Sequence, residues 1–71
     1  MHLDKVRALA RDQGKLAEDG SRLQLNSMSV IEFTMALEDV TGIEIGNAEL
    51  IEENFRTVED VARMLDRLQK R

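Results

Sequence analysis

Ser27 is the residue of this 71-residue chain whose position gives it chemical options. It follows Asn26, a favoured N-cap type, while Leu25 before the cap and Val30 after it stand at hydrophobic-staple spacing. Ser27 therefore opens a helix, and a hydroxyl there has two chemical uses. As a nucleophile it needs a base in reach and oxyanion donors, but Leu25-Asn26-Ser27-Met28-Ser29 lacks the glycines of a nucleophile elbow. The single histidine, His2, falls in the first turn of a terminal helix, where it reads as surface decoration. Cysteine is absent and the acids show no calcium-loop spacing, so neither a thiolate nor a metal site is expected, and no catalytic residue is assigned. As an attachment point the hydroxyl needs only access and a place for an anion. The free N–H groups and positive dipole end of a first turn favour phosphate on the serine oxygen. Serine also opens helices for capping reasons alone, and both uses stay open at this point.

The helix behind Ser27 carries two apolar stripes. Val30, Phe33, Ala36, Leu37 and Val40 form a broad one of the width a bundle helix turns to its core. Met28, Ile31 and Met35 form a second, with Ser27 and Glu38 along one side and Glu32 and Asp39 along the other. An apolar strip edged by carboxylates has the make-up of a partner surface, although a tightly enclosed helix would bury both stripes.

These residues carry a family resemblance. Asn26-Ser27-Met28, Val30-Ile31-Glu32, Met35-Ala36-Leu37-Glu38 and Gly42-Ile43-Glu44-Ile45 together resemble the acyl carrier proteins, whose Asp-Ser-Leu-like motif opens the second helix of a four-helix bundle. The likeness runs over residues 23–68 and so covers most of the chain. It implies 4'-phosphopantetheine, taken from coenzyme A by a phosphopantetheinyl transferase and attached to Ser27. It also implies an activating ligase that loads an acyl or aminoacyl group, and a downstream transferase that receives it. Partner recognition maps to Met28, Ile31, Glu32, Met35, Glu38 and Asp39. Asn26 stands where the family has Asp, Met28 where it has Leu, Ser29 where fatty-acid members often have an acid, and Gly46 where proline is frequent. With the short leading segment and the run over residues 53–58, these departures resemble discrete carriers of aminoacyl or specialised-metabolite units more than fatty-acid carriers. The absence of cysteine agrees with such a role, since a thioester's sulfur would then have to come from the prosthetic group.

The remaining elements form a frame around this helix. Leu3, Val6, Leu9 and Ala10 recur at helical spacing over residues 2–13, with Gly14 as the stop. Residues 14–25 read as a surface connection tethered by Leu16, Leu23 and Leu25. Residues 42–46 alternate Ile43 and Ile45 around Glu44 but have no partner strand, so a loop with two inward isoleucines is expected. Asn47 is a candidate cap for a short helix over 48–53, with Leu50, Ile51 and Phe55 as core contacts. Thr57 and Asp60 have the capping-box spacing before a last helix whose apolar face is Val58, Val61, Ala62, Leu65 and Leu68, with Arg67, Lys70 and Arg71 at its negative end. The expected fold is a small all-α four-helix bundle of acyl-carrier type, three main helices and one short, in one domain over 1–71.

Charge is uneven. Residues 1–25 hold five basic and four acidic side chains, 26–60 hold one and nine, and 61–71 hold four and one, within a net charge of −4. Nucleic-acid sites need clustered Lys and Arg, so the acidic middle argues against them and for basic protein patches as partners. No stretch approaches the roughly 18 apolar residues of a membrane span, and no basic-then-apolar signal opens the chain. A monomeric, cytoplasmic carrier that is not an enzyme is the expectation. The alternative is an acidic helical interaction module that is never modified.

Overall fold

A computed structural model describes residues 2–70. Helix α1 spans Leu3–Asp12, α2 Ser27–Thr41 and α3 Val58–Gln69, with two single 3-10 turns, Asn47–Glu49 and Glu52–Asn54, between α2 and α3. Helix α1 packs on both α2 and α3, and α3 also receives the 52–54 turn. No strand forms among the described residues, which agrees with an all-α carrier-type fold. Nor is any described helix long and apolar enough to cross a membrane.

The core joins Val6 and Ala10 from α1, Phe33 and Leu37 from α2, and Val58, Val61, Met64 and Leu65 from α3, closed by Ile45 and Phe55 from the long connection. Helical spacing put seven of these residues on core faces. Met64 was not assigned to one, yet its flexible thioether is wholly buried, as suits a residue that fills irregular gaps. Leu68 packs against the core only in part.

Four expectations are corrected. Val40 is 47% exposed, because α2 reaches its last turn where no neighbour covers it. The short helix of 48–53 is replaced by the two 3-10 turns, separated by an extended Ile51 at φ −119° and ψ 153°, and Asn47 lies inside the first turn, after Gly46, instead of capping a helix. Too few residues lie there to repay helix nucleation, and the Asn54 amide instead donates to the Glu49 carbonyl at 2.8 Å. Ile51 consequently turns outward, 49% exposed, while Leu50 and Phe55 pack inward. His2 is buried rather than decorative: its Nε2 lies 2.7 Å from Gln69 Oε1 and 3.6 Å from Asp66 Oδ1, fastening the start of α1 to α3. Arg67 pairs with Glu49, Lys70 is the C-cap of α3, and Arg71 lies outside the described residues.

The two connections keep Ser27 in place. Gly14 stops α1 at φ +69°, and the following segment pairs Leu16 with Leu23 and Arg22 with Thr57 across isolated bridges. The Leu23 N–H donates to the Arg56 carbonyl at 2.9 Å and the Val58 N–H to the Ser21 carbonyl at 2.8 Å, so the chain entering α2 is stitched to the chain entering α3. At the far end, Gly42 takes φ +71° as the left-handed C-cap of α2. The Ile45 N–H then donates to Glu38 Oε2 at 2.7 Å, drawing the loop back so that Ile45 reaches the core.

Candidate functional site

Asn26 caps α2 as expected, and Ser29 completes the cap. Asn26 Oδ1 accepts from the N–H groups of Met28 at 3.0 Å and Ser29 at 2.8 Å, while Ser29 Oγ accepts from the Asn26 N–H at 2.8 Å. This reciprocal box uses serine where glutamate or glutamine is usual, and it explains why Ser29 is buried. Two of the first-turn donors expected to face an anion are therefore already taken. Ser27, between them, is exposed, and among the described residues neither its hydroxyl nor its N–H has a hydrogen-bond partner. No base is hydrogen-bonded to it, and the single histidine is engaged at the other end of the fold.

Beside Ser27 opens a cleft of about 360 Å³ between the start of α2 and the 50–56 segment. Leu23, Leu25, Val30, Leu50, Ile51 and Phe55 supply apolar wall, while Arg22, Glu52 and Arg56 supply its charge. Sequence spacing could not assemble this cleft, because its walls come from distant segments of the chain, 22–30 and 50–56, that tertiary packing and the 22–23 to 56–57 pairing bring together. One signal was available: Arg56 is the only basic residue between Arg22 and Arg63.

The second stripe of α2 lies in the open. Met28 is 74% exposed, Ile31 52% and Met35 63%, with Glu32 and Asp39 exposed beside them. Phe33 and Leu37 are fully buried, and Thr34 is buried with its hydroxyl donating to the Val30 carbonyl at 2.7 Å. The structure thus separates a core side from an exposed apolar strip on one helix. Glu38 is half-buried, and its carboxylate holds Ile45 as described above.

The geometry suits a phosphate-linked prosthetic group. The exposed, unbonded Ser27 hydroxyl at the helix start is open to modification, and the apolar cleft beside it, with charges of both signs at its edges, has room for an extended arm. A family model described as the phosphopantetheine attachment site matches residues 5–65, from α1 through most of α3 and including Ser27 and the cleft. Comparison with curated proteins and comparison with solved structures return no match. The match covers most of the chain, and domains of this family are typically non-catalytic sites of covalent 4'-phosphopantetheine attachment that meet a phosphopantetheinyl transferase and synthetic enzymes. The chain belongs to the phosphopantetheine-dependent acyl and peptidyl carrier protein family.

Proposed function

We propose that Ser27 is the attachment residue and that the chain shuttles an acyl or aminoacyl group, held as a thioester on the prosthetic thiol, between partner enzymes. The observation that carries this reading is the combination at Ser27 of exposure, an unbonded hydroxyl and a fixed helix start. Ser21, by contrast, donates its hydroxyl to Glu59 at 2.6 Å, and Ser29 is buried in the cap. During transfer the Ser27 hydroxyl provides the phosphodiester oxygen and gives up its proton to the transferase, while the adenosine bisphosphate half of coenzyme A leaves. The bound group contributes a thiol that this cysteine-free chain lacks. The exposed strip of Met28, Ile31 and Met35, with Glu32 and Asp39, supports docking of the transferase and of later enzymes on that face. Glu38 lies at the edge of this face with one carboxylate oxygen already engaged.

The cargo reading favours aminoacyl or specialised-metabolite units over fatty acyl chains, in a single carrier domain working in the cytoplasm. It rests on Met28 and on the 53–58 run. Ser29 serves the helix cap and does not bear on the pathway. Intact-mass measurement after incubation with coenzyme A and a phosphopantetheinyl transferase tests the attachment: the wild type gains one phosphopantetheine and Ser27→Ala gains none. Modification elsewhere, or no modification, overturns it in favour of an unmodified interaction module. Loading by an amino-acid-activating ligase set against elongation by a fatty acid synthase system tests the cargo class. Efficient full fatty-acyl elongation would reverse that choice.

A further inference from the structure

We propose that Arg22 and Arg56 form an anion seat that holds the phosphodiester at Ser27 toward the apolar cleft; the inference rests on Ser27 being the attachment residue. A phosphodiester brings one negative charge to the start of α2. Anions at helix starts are ordinarily met by first-turn N–H groups, but here the Met28 and Ser29 donors are spent on Asn26 Oδ1. Only the Ser27 N–H is left among them, and the surroundings are hostile: residues 23–62 contain nine acidic side chains and a single basic one.

That basic residue, Arg56, lines the cleft beside Ser27, as does Arg22. They converge because backbone pairing joins their segments, Arg22 to Thr57 by a bridge and Leu23 to Arg56 by a hydrogen bond. Both guanidinium groups have capacity to spare. Arg56 meets Glu52 only at 3.9 Å, in a pair whose side chains are 60% and 86% exposed, and Arg22, whose charge reaches Asp19, has no carboxylate within 4.0 Å among the described residues. A planar guanidinium offers paired donors suited to phosphate oxygens. The arginines are positioning residues: with the phosphodiester drawn toward them, the arm leaves Ser27 along the wall of Leu25, Val30, Leu50, Ile51 and Phe55 and away from the Met28–Ile31–Met35 strip. Partners could then read the strip whether or not the arm is present.

Phosphorus-31 and backbone amide NMR on apo and holo protein tests this, comparing the wild type with the double variant Arg22→Gln, Arg56→Gln and with Arg22→Lys, Arg56→Lys. In the wild type, modification should introduce one phosphodiester phosphorus signal, displaced from that of free phosphopantetheine, and should shift amides of residues 22–25 and 50–56. The glutamine pair should lose at least half of that response and the lysine pair should retain most of it, with apo melting temperatures unchanged. Raising salt to about 0.5 M on wild-type holo protein should erode the same shifts, a readout that stands if the double variant does not fold. A response in the glutamine pair equal to the wild type, or one indifferent to salt, overturns the proposal. So does a wild-type cleft that responds only after loading of a carboxylate-terminated cargo, which would assign the seat to cargo instead. Failure to gain mass at Ser27 would be failure of the attachment reading, whereas mass gain with arginine-independent shifts would refute the anion seat alone.

Discussion

Asn26 and Ser21 show how much of this molecule depends on single polar side chains. Asn26 satisfies two first-turn donors, so Asn26→Ala should cost about 1 kcal/mol and lower the melting temperature by roughly 4–8 °C. Asn26→Asp should keep the helix, since a carboxylate caps about as well, and should change the rate of modification at Ser27 through the added charge. Circular dichroism melts beside transferase kinetics check both, and unfolding of the Asp variant would refute the capping role. Ser21 ties the first long connection to α3 by donating to Glu59 Oε1, with Arg7 3.7 Å from the same carboxylate and donating to the Gly20 carbonyl at 3.1 Å. The Ser21 hydroxyl, more than the Arg7 charge, holds the Glu59 carboxyl below its usual range. Asp19 is lowered too, by the backbone N–H groups of Arg22 and Ser21. Carboxyls depressed in the folded state stabilise it above their unfolded pKa, and that stability is lost as pH falls through the folded value. Melting temperature should therefore decline below about pH 4.5, the ordinary glutamate value. Ser21→Ala should flatten that acid limb, and an unchanged limb would remove Glu59 as a contributor.

Helix α2 carries the sharper test, because its two sides should fail in different ways. Phe33→Ala and Leu37→Ala, at fully buried positions, should each cost about 2–5 kcal/mol, a large share of so small a domain's stability. Ile31→Ala and Met35→Ala should cost under about 1 kcal/mol and yet slow modification or downstream transfer. Thermal melts alongside modification kinetics separate these outcomes, and a Met35→Ala variant as destabilised as Leu37→Ala would return both stripes to the core. The Asn26 and Thr57 caps, the two sides of α2 and the three long helices were legible in the sequence, since each depends on neighbours within about four positions, whereas Asn47 caps nothing and the share of Ser29 in the α2 cap went unread. What was not legible depends on distant chain. Val40 has core spacing but no neighbour over the last turn, Ile51 was turned outward by the break between two 3-10 turns, and His2 was buried by a residue 67 positions away. The cleft belongs to the same class, as its far wall is set by the pairing of residues 22–23 with 56–57.

At the scale of the whole molecule, charge separates from packing. The radius of gyration, 10.7 Å, is close to the roughly 11 Å expected of a compact chain of this length, so the acidic segment over residues 26–60 does not expand the fold. Several of its carboxylates are paired with arginines: Glu52 with Arg56 at the surface, and the largely covered Glu49 and Asp60 with Arg67 and Arg63. Glu32 and Asp39 are exposed beside the apolar strip and have no ion pair within 4.0 Å among the described residues, which leaves their field directed at an approaching partner. Long-range attraction of this kind governs encounter more than the final complex, and salt screens it over a Debye length of about 8 Å at physiological ionic strength. Glu32→Lys together with Asp39→Lys should therefore slow modification by a basic-faced transferase at low salt, mainly through association. The gap from the wild type should close as salt approaches about 0.5 M, while the melting temperature changes little. Stopped-flow association measured across a salt series is the check. A variant that associates as fast as the wild type at low salt would show that the acidic face does not steer this partner, and a deficit that persists at high salt would assign these two carboxylates to direct contact instead.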